Sequence, residues 1–228
     1  MVKYILFDLD ETLFDFPKAE KAAISEVLSA LGITPTEKIV ERYSKINRNC
    51  WDMLERGEID RERLVILRFE LLRDELGADF SPENVQKMYV SALGGQHHFI
   101  DGAEDLLSEL CTDYELYAVT NGLYAVQTRR IKDAALDRFF KGYFISEEVG
   151  YSKPQKKFFD LAFSKIDGFK KAEAIIIGDS LGSDILGGKN AGIRTCHYNP
   201  HGKENRTGII PDHEIKNLSE LPRLLKEL

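Results

Sequence analysis

Cysteine is scarce in this sequence: Cys50, Cys111 and Cys196 are the only three among 228 residues. Being odd in number and widely spaced, they exclude a disulfide framework and a structural zinc site, and they suit a reducing compartment. Basic residues are in deficit too. Lysine and arginine total 31 against 38 acids, a formal net charge of -7, so neither a nucleic-acid polymer nor an anionic membrane is an expected partner. Nor is there an apolar run approaching the roughly 20 residues of a membrane span. Met1–Leu9 is apolar but short and is followed at once by acids, so it does not read as a secretory signal. Low-complexity tracts and internal repeats are missing as well. These absences predict a cytoplasmic globular chain whose partner is a small molecule, one that a metal ion or local dipoles must attract if it is anionic.

What is present is an alternation. Lys3–Asp10 (KYILFDLD) is a nearly continuous apolar run ending in acids, the pattern of a strand buried on both faces. Similar runs recur at Leu116–Thr120, Tyr143–Ser146, Ala174–Gly178 and Thr195–Tyr198, with helical patterns at Ala103–Leu110, Val126–Ala135, Lys156–Lys165 and Asp184–Ala191. Strands alternating with helices predict a doubly wound α/β core around a parallel sheet. Residues 17–94 break the pattern and read as a helical bundle inserted after the first strand, leaving 1–16 and 95–228 as the core. Within the insert, Ile24, Val27, Leu28 and Leu31 line one helix face before Gly32. Thr34, Pro35 and Glu37 suggest a capping box, and Asp60 can cap a helix carrying Leu64, Leu67, Leu71 and Leu72. Ser81-Pro82 opens a fourth helix, and Gly94-Gly95 leads back to the core.

Four strand ends carry reactive groups. The first is Asp8-Leu9-Asp10-Glu11-Thr12, at the carboxyl edge of the sheet, where ligands bind in open α/β folds. Next come Thr120-Asn121-Gly122, whose hydroxyl and N–H groups can hold an anion, and Ser152-Lys153-Pro154, whose ammonium can balance a phosphate and a nucleophilic carboxylate. Gly178-Asp179-Ser180, followed by Asp184, returns acids to a strand end. Each alone has a bland explanation as a turn, a surface charge or a helix cap. All four in one order are far less easily a coincidence.

This set of motifs, with a helical insert between the first and second, resembles the haloacid dehalogenase superfamily. The resemblance covers nearly the whole chain and implies a modified Rossmann core with a helical cap. Phosphoryl transfer requires an in-line nucleophile and positive charge around the equatorial oxygens. Asp8 suits the nucleophile and would become an aspartyl-phosphate. A carboxylate facing a phosphate dianion needs an intervening hard cation, so Mg2+ is expected on the Asp8 and Asp179 side chains. The resemblance adds the Asp10 main-chain carbonyl to that set. Asp184 would act from behind them by orienting a water on the metal. The Asp10 side chain is then free to protonate the leaving group and later deprotonate water. Lys153, Thr120 and Asn121 would bind the phosphate.

Asp10 also points away from the superfamily's dehalogenases, which attack carbon and need no leaving-group acid. The stretches at 10–16, 120–122, 145–150 and 183–188 look like the bacterial pyrimidine 5′-nucleotidase branch. A nucleoside 5′-monophosphate is thus the expected substrate. Sugar-phosphate and phosphoglycolate phosphatases, a phosphoglucomutase-like phosphotransferase and a receiver-like phosphoacceptor are the alternatives. Trp51 reads as a packing group, while His97-His98, Arg129-Arg130 and Glu147-Glu148 read as solvated or paired charges.

Overall fold

The structure, a computed structural model, describes the backbone of all 228 residues and every side chain except that of Glu55. Strand β1 (Tyr4–Phe7) is followed by four helices, α1 (Phe16–Ala30), α2 (Glu37–Glu55), α3 (Arg61–Leu76) and α4 (Pro82–Gly94). Strands and helices then alternate: α5 (Ala103–Leu110), β2 (Glu115–Thr120), α6 (Tyr124–Asp133), β3 (Phe140–Ile145), α7 (Ser146–Val149) and α8 (Lys156–Ser164). The last group is β4 (Ala174–Gly178), α9 (Leu186–Ala191), β5 (Arg194–Tyr198), β6 (His213–Ile215) and α10 (Leu221–Lys226). Two compact units result, one formed by Met1–Asp15 with Phe99–Leu228 and the other by Phe16–His98.

The first unit is built on a six-stranded sheet of order β3-β2-β1-β4-β5-β6, parallel throughout. All four residues of β1 are buried, and alternate side chains enter opposite layers. Ile5 and Phe7 pack with Leu106, Leu107, Ile131, Leu221 and Leu225, whereas Tyr4 and Leu6 pack with Phe158, Phe159, Phe163 and Ala191. That two-sided burial is why β1 reads as a continuous apolar run. It is also what fixes the following acids at the carboxyl edge.

The second unit is the four-helix bundle α1–α4. Asp60 caps α3 by accepting from the Arg63 N–H at 2.7 Å, and Ser81 caps α4 with Pro82 in its first turn. A polar network crosses the interior of the bundle: Asn47 donates to Glu20 at 2.7 Å, and Arg68 donates to Asn47 at 2.8 Å and to Gln86 at 2.7 Å. The Arg68 guanidinium also lies over the rings of Phe69 and Tyr89.

Several local expectations are corrected. The first strand covers Tyr4–Phe7 rather than Lys3–Asp10, because the chain turns at Glu11 and folds back so that Phe14 N–H donates to the Leu9 carbonyl at 2.8 Å. The third strand begins at Phe140, ahead of Tyr143. Thr36, not Thr34, caps α2, with Pro35 outside the helix. Leu71 faces outward, because Arg68 and Phe69 take the inward positions between Leu64 and Leu72. Strand β6 and helix α10 were not expected; His213-Glu214-Ile215 is too short and polar to carry an apolar signal. Among the described residues, no helix is long and apolar enough to cross a membrane.

Helix α9 lies so close to the sheet that a Cβ at Gly188 would come within 2.6 Å of Ile176 Cγ2 and Thr195 Cγ2. Gly188→Ala should therefore lower unfolding free energy by about 1–3 kcal/mol, the usual cost of overpacking. Gly142→Ala, whose Cβ would meet Tyr117 at an ordinary 3.6 Å, should change it far less. Urea denaturation of both variants checks the contrast.

Candidate active site

The reactive side chains lie where the parallel strands end. Asp8 follows β1, Thr120 closes β2, Asp179 follows β4, and Lys153 lies in the segment after β3 and α7. The strand order reverses direction at β1 and β4, so the chain leaves those two strands on opposite paths and opens a crevice at their carboxyl ends.

Lys153 is the centre of the site. Its ammonium donates to Asp8 Oδ1 at 2.5 Å, to Asp184 Oδ1 at 2.6 Å and to the Val119 carbonyl at 2.8 Å, so all three of its protons are engaged. Burial alone would discharge this lysine, but Asp184 and Asp8 together outweigh burial and hold it above the ordinary lysine value. Its backbone is fixed as well. Asn121 Nδ2 donates to the Lys153 carbonyl and Asn121 Oδ1 accepts from the Lys153 N–H, both at 2.9 Å. The Asn121 side chain therefore braces Lys153.

Asp184 sits in a π-helical turn, Leu181–Ile185, ahead of α9. Such turns are uncommon and recur at functional sites. Its Oδ2 accepts from the Ser180 N–H at 3.1 Å, so both of its carboxylate oxygens are engaged. Gly178 makes this approach available, since a Cβ there would come within 2.3 Å of the Asp184 carboxyl group. Asp179 has its carbonyl 3.0 Å from His197 Nε2, and Glu214 lies 3.1 Å from the other ring nitrogen. This His197 brace from β5 was not foreseen; no sequence signal separates it from an ordinary strand histidine.

One carboxylate oxygen from each of Asp8, Asp179 and Asp184 lies within 4.8 Å of the other two. Burial pushes the Asp8 carboxyl up from 3.8 to about 7, with Lys153 opposing the shift and Asp184 adding to it. Asp179 is also raised, by burial first and then by Asp8 and Asp184. Three acids around one ammonium leave excess negative charge, and the donors are all hard oxygens. That donor set fits a divalent cation such as magnesium.

Asp10 stands apart from this cluster. Its Oδ1 accepts from Arg130 Nη1 at 2.5 Å and its Oδ2 from Gln127 Nε2 at 2.7 Å. Arg129 and Arg130 are both paired charges, Arg129 with Asp133 at the surface and Arg130 with Asp10 in the interior. Glu11, next in the chain, adopts a left-handed φ of 59°, the kind of local strain that persists where surroundings enforce it. Of the other conspicuous residues, Glu147 accepts from the Tyr124 N–H, His98 contacts Gln96, and Trp51 is half-buried in α2.

A family model described as haloacid dehalogenase-like hydrolase matches residues 5–198. The chain belongs to this family. It is 39% identical over 97% of its length to the HAD-hydrolase YfnB of Bacillus subtilis, covering 94% of that protein. It is 39% identical to the pyrimidine 5′-nucleotidase PynA of Streptococcus pneumoniae, spanning 96% of this chain and 93% of that one. The pyrimidine 5′-nucleotidase YjjG of Escherichia coli is 32% identical, with 97% of each chain covered. A crystal structure of YfnB bound to magnesium superposes with a TM-score of 0.94 over 98% of both chains. The L-2-haloacid dehalogenase of Xanthobacter autotrophicus, 19% identical with a TM-score of 0.78 over the whole of both chains, shares the fold.

The acid cluster predicts a pH dependence. Acids with raised values hold protons in the folded chain that the unfolded chain releases, so in chelator their contribution to stability is lost as pH rises from about 4 to about 7. Asp179→Asn should flatten this loss and melt above the parent protein at pH 8. Saturating magnesium should close the gap from the other side. Thermal melts across pH, with and without chelator, measure both effects.

Proposed function

We propose that this hydrolase is a magnesium-dependent phosphatase of small phosphomonoesters, acting through an aspartyl-phosphate on Asp8, with nucleoside 5′-monophosphates as its substrate class. The observation that carries the reading is the pairing of a buried nucleophilic carboxylate with a separate acid two residues on. Asp8 lies against Lys153 and two further carboxylates, while the Asp10 side chain is held outside that cluster. The nucleotide preference draws its support from the two pyrimidine 5′-nucleotidases, whose similarity extends through the helical unit as well as the sheet.

In the first half-reaction an Asp8 oxygen attacks phosphorus, the ester P–O bond breaks, and Asp10 gives its proton to the departing alkoxide. In the second, Asp10 takes a proton from water, which attacks the aspartyl-phosphate and releases inorganic phosphate and Asp8. Lys153 stabilises negative charge at the attacked centre throughout, and the Thr120 hydroxyl binds a phosphate oxygen. Magnesium, held by the Asp8 and Asp179 carboxylates and the Asp10 main-chain carbonyl with Asp184 behind them, would screen the repulsion between nucleophile and dianion. A dehalogenase, by contrast, displaces halide from carbon and has no use for a proton donor at Asp10.

Assays of nucleoside monophosphates, sugar phosphates and 2-haloacids, with magnesium and with chelator, test this reading. Magnesium-dependent release of phosphate from nucleoside monophosphates is expected, and halide release without phosphatase activity would overturn it. Asp8→Asn should abolish turnover in a folded protein, since the amide is a poor nucleophile of nearly equal size.

Asp10→Asn should slow turnover roughly a hundredfold to ten-thousandfold, the usual worth of general acid–base catalysis. With p-nitrophenyl phosphate, whose leaving group needs little protonation, this variant should accumulate phosphoenzyme. Rapid-quench kinetics should then show a p-nitrophenol burst near one per site. No burst, together with weakened magnesium affinity, would place Asp10 in a metal-binding role alone.

A further inference from the structure

The buried pair Gln127 and Arg130, both on α6, is absorbed by none of the four motifs. Their side chains are 1% and 0% exposed, yet they bond to two groups of the proposed reaction. Arg130 Nη1 reaches Asp10 Oδ1 at 2.5 Å and Gln127 Oε1 at 3.0 Å, with its guanidinium packed over the Phe14 ring. Gln127 Nε2 donates to Asp10 Oδ2 at 2.7 Å and to Thr120 Oγ1 at 2.8 Å.

The chemistry of these donors fixes their orientation. A guanidinium has no acceptor, so Arg130 must face the carbonyl oxygen of Gln127 and thereby turns its NH₂ group toward Asp10 and Thr120. Both amide protons are then in use. Thr120 Oγ1 also accepts from the Gly122 N–H at 3.1 Å, which fills its two lone-pair positions. The hydroxyl proton has no role left but to donate, which is what a phosphate oxygen requires. Gly122 leaves the space for this arrangement, because a Cβ there would come 2.5 Å from Gln127 Nε2 and 2.6 Å from its Cγ.

We propose that Gln127, oriented by Arg130, is a positioning residue that presets the Thr120 hydroxyl as a phosphate donor and holds the Asp10 carboxylate in place for proton transfer. The proposal rests on the phosphatase reading above. It makes one amide group the link between binding of the phosphate and placement of the acid–base group. A structural filler of the same position would need shape but not donor polarity.

Donor polarity is therefore what the test must vary. Gln127→Met keeps length and removes both donors, whereas Gln127→Glu keeps shape and replaces the donors with acceptors. Gly122→Ala leaves Gln127 intact and displaces it from outside. Each variant is first checked by thermal melting, then assayed with magnesium for kcat and KM on nucleoside monophosphates and p-nitrophenyl phosphate. Binding of inorganic phosphate is measured separately by calorimetry.

For Gln127→Met we expect kcat on nucleoside monophosphates to fall about tenfold to a hundredfold, as for a misplaced catalytic group. Its phosphate dissociation constant should rise about tenfold, from the loss of an aligned hydrogen bond to a charged group. Gln127→Glu should be worse on both measures, because its carboxylate captures the Thr120 proton and repels Asp10. Gly122→Ala should shift both measures in the same direction as Gln127→Met. If the Glu variant is instead the more active, or if Met and Ala variants match the parent in kcat and phosphate affinity, the proposal fails. A parent protein that binds phosphate but hydrolyses no phosphomonoester would overturn the phosphatase reading. In that case the order of phosphate affinities, parent above Met above Glu, still decides whether Gln127 sets the Thr120 donor.

Discussion

Everything at the carboxyl edge of the sheet depends on one shared proton donor, the Lys153 ammonium. Two carboxylates and a carbonyl occupy its three hydrogens, so it cannot leave without exposing buried charge in a medium where that is costly. Conversely, the acids need it. Asp8 and Asp184 are almost wholly buried, and without the ammonium their charges would lie uncompensated away from water. The arrangement holds Asp8 in place but leaves the cluster short of positive charge. That shortfall is what a divalent cation would fit: the protein supplies one positive charge for three carboxylates.

The end of β2 joins this cluster to the rest of the machinery. Val119 gives its carbonyl to Lys153, Thr120 gives its hydroxyl oxygen to Gln127, and Asn121 clasps the Lys153 backbone from both sides. Three consecutive residues thus reach both Lys153 and Gln127. Val119 and Thr120 can do so because they are held by parallel pairing to β3, which fixes alternate side-chain directions more tightly than a loop could. Small changes in the pairing of β2 would disturb both half-sites together.

Much of this was legible in the sequence for physical reasons. Strands buried on both faces, as at Tyr4–Phe7 and Ala174–Gly178, leave apolar runs that no surface segment needs, and acids directly after such runs mark the sheet edge. Asp8, Thr120 and Asp179 stand out for that reason, whereas Lys153 is marked only by its place in a loop ahead of α8. Arg130 and Gln127 do not stand out, because their role comes from where α6 packs against the loop after β1, more than a hundred positions earlier in the chain. A buried arginine and a surface arginine leave the same letter. The same holds for Arg68 in the helical bundle, which displaced Leu71 from the expected inward face, and for His197 behind Asp179.

Glycine placement shows how the fold makes space for chemistry at a cost in local order. At Gly122 and Gly178 the missing side chains are what allow Gln127 and Asp184 to lie across strand ends. Neither position has a positive φ, so it is volume and not backbone freedom that excludes alanine. Glu11 presents the opposite case, a side chain kept in a left-handed conformation that glycine would adopt freely. The turn at Glu11 is enforced by the Leu9 carbonyl, which accepts from both Leu13 and Phe14 N–H groups, and by the Phe14 carbonyl, which accepts from Glu11. This closed loop puts Phe14 against the face of the Arg130 guanidinium and Asp10 at its edge. The strain at Glu11 is therefore tied to the placement of the Asp10 carboxylate: relaxing the turn would move Phe14, loosen the guanidinium, and release the carboxylate that it holds.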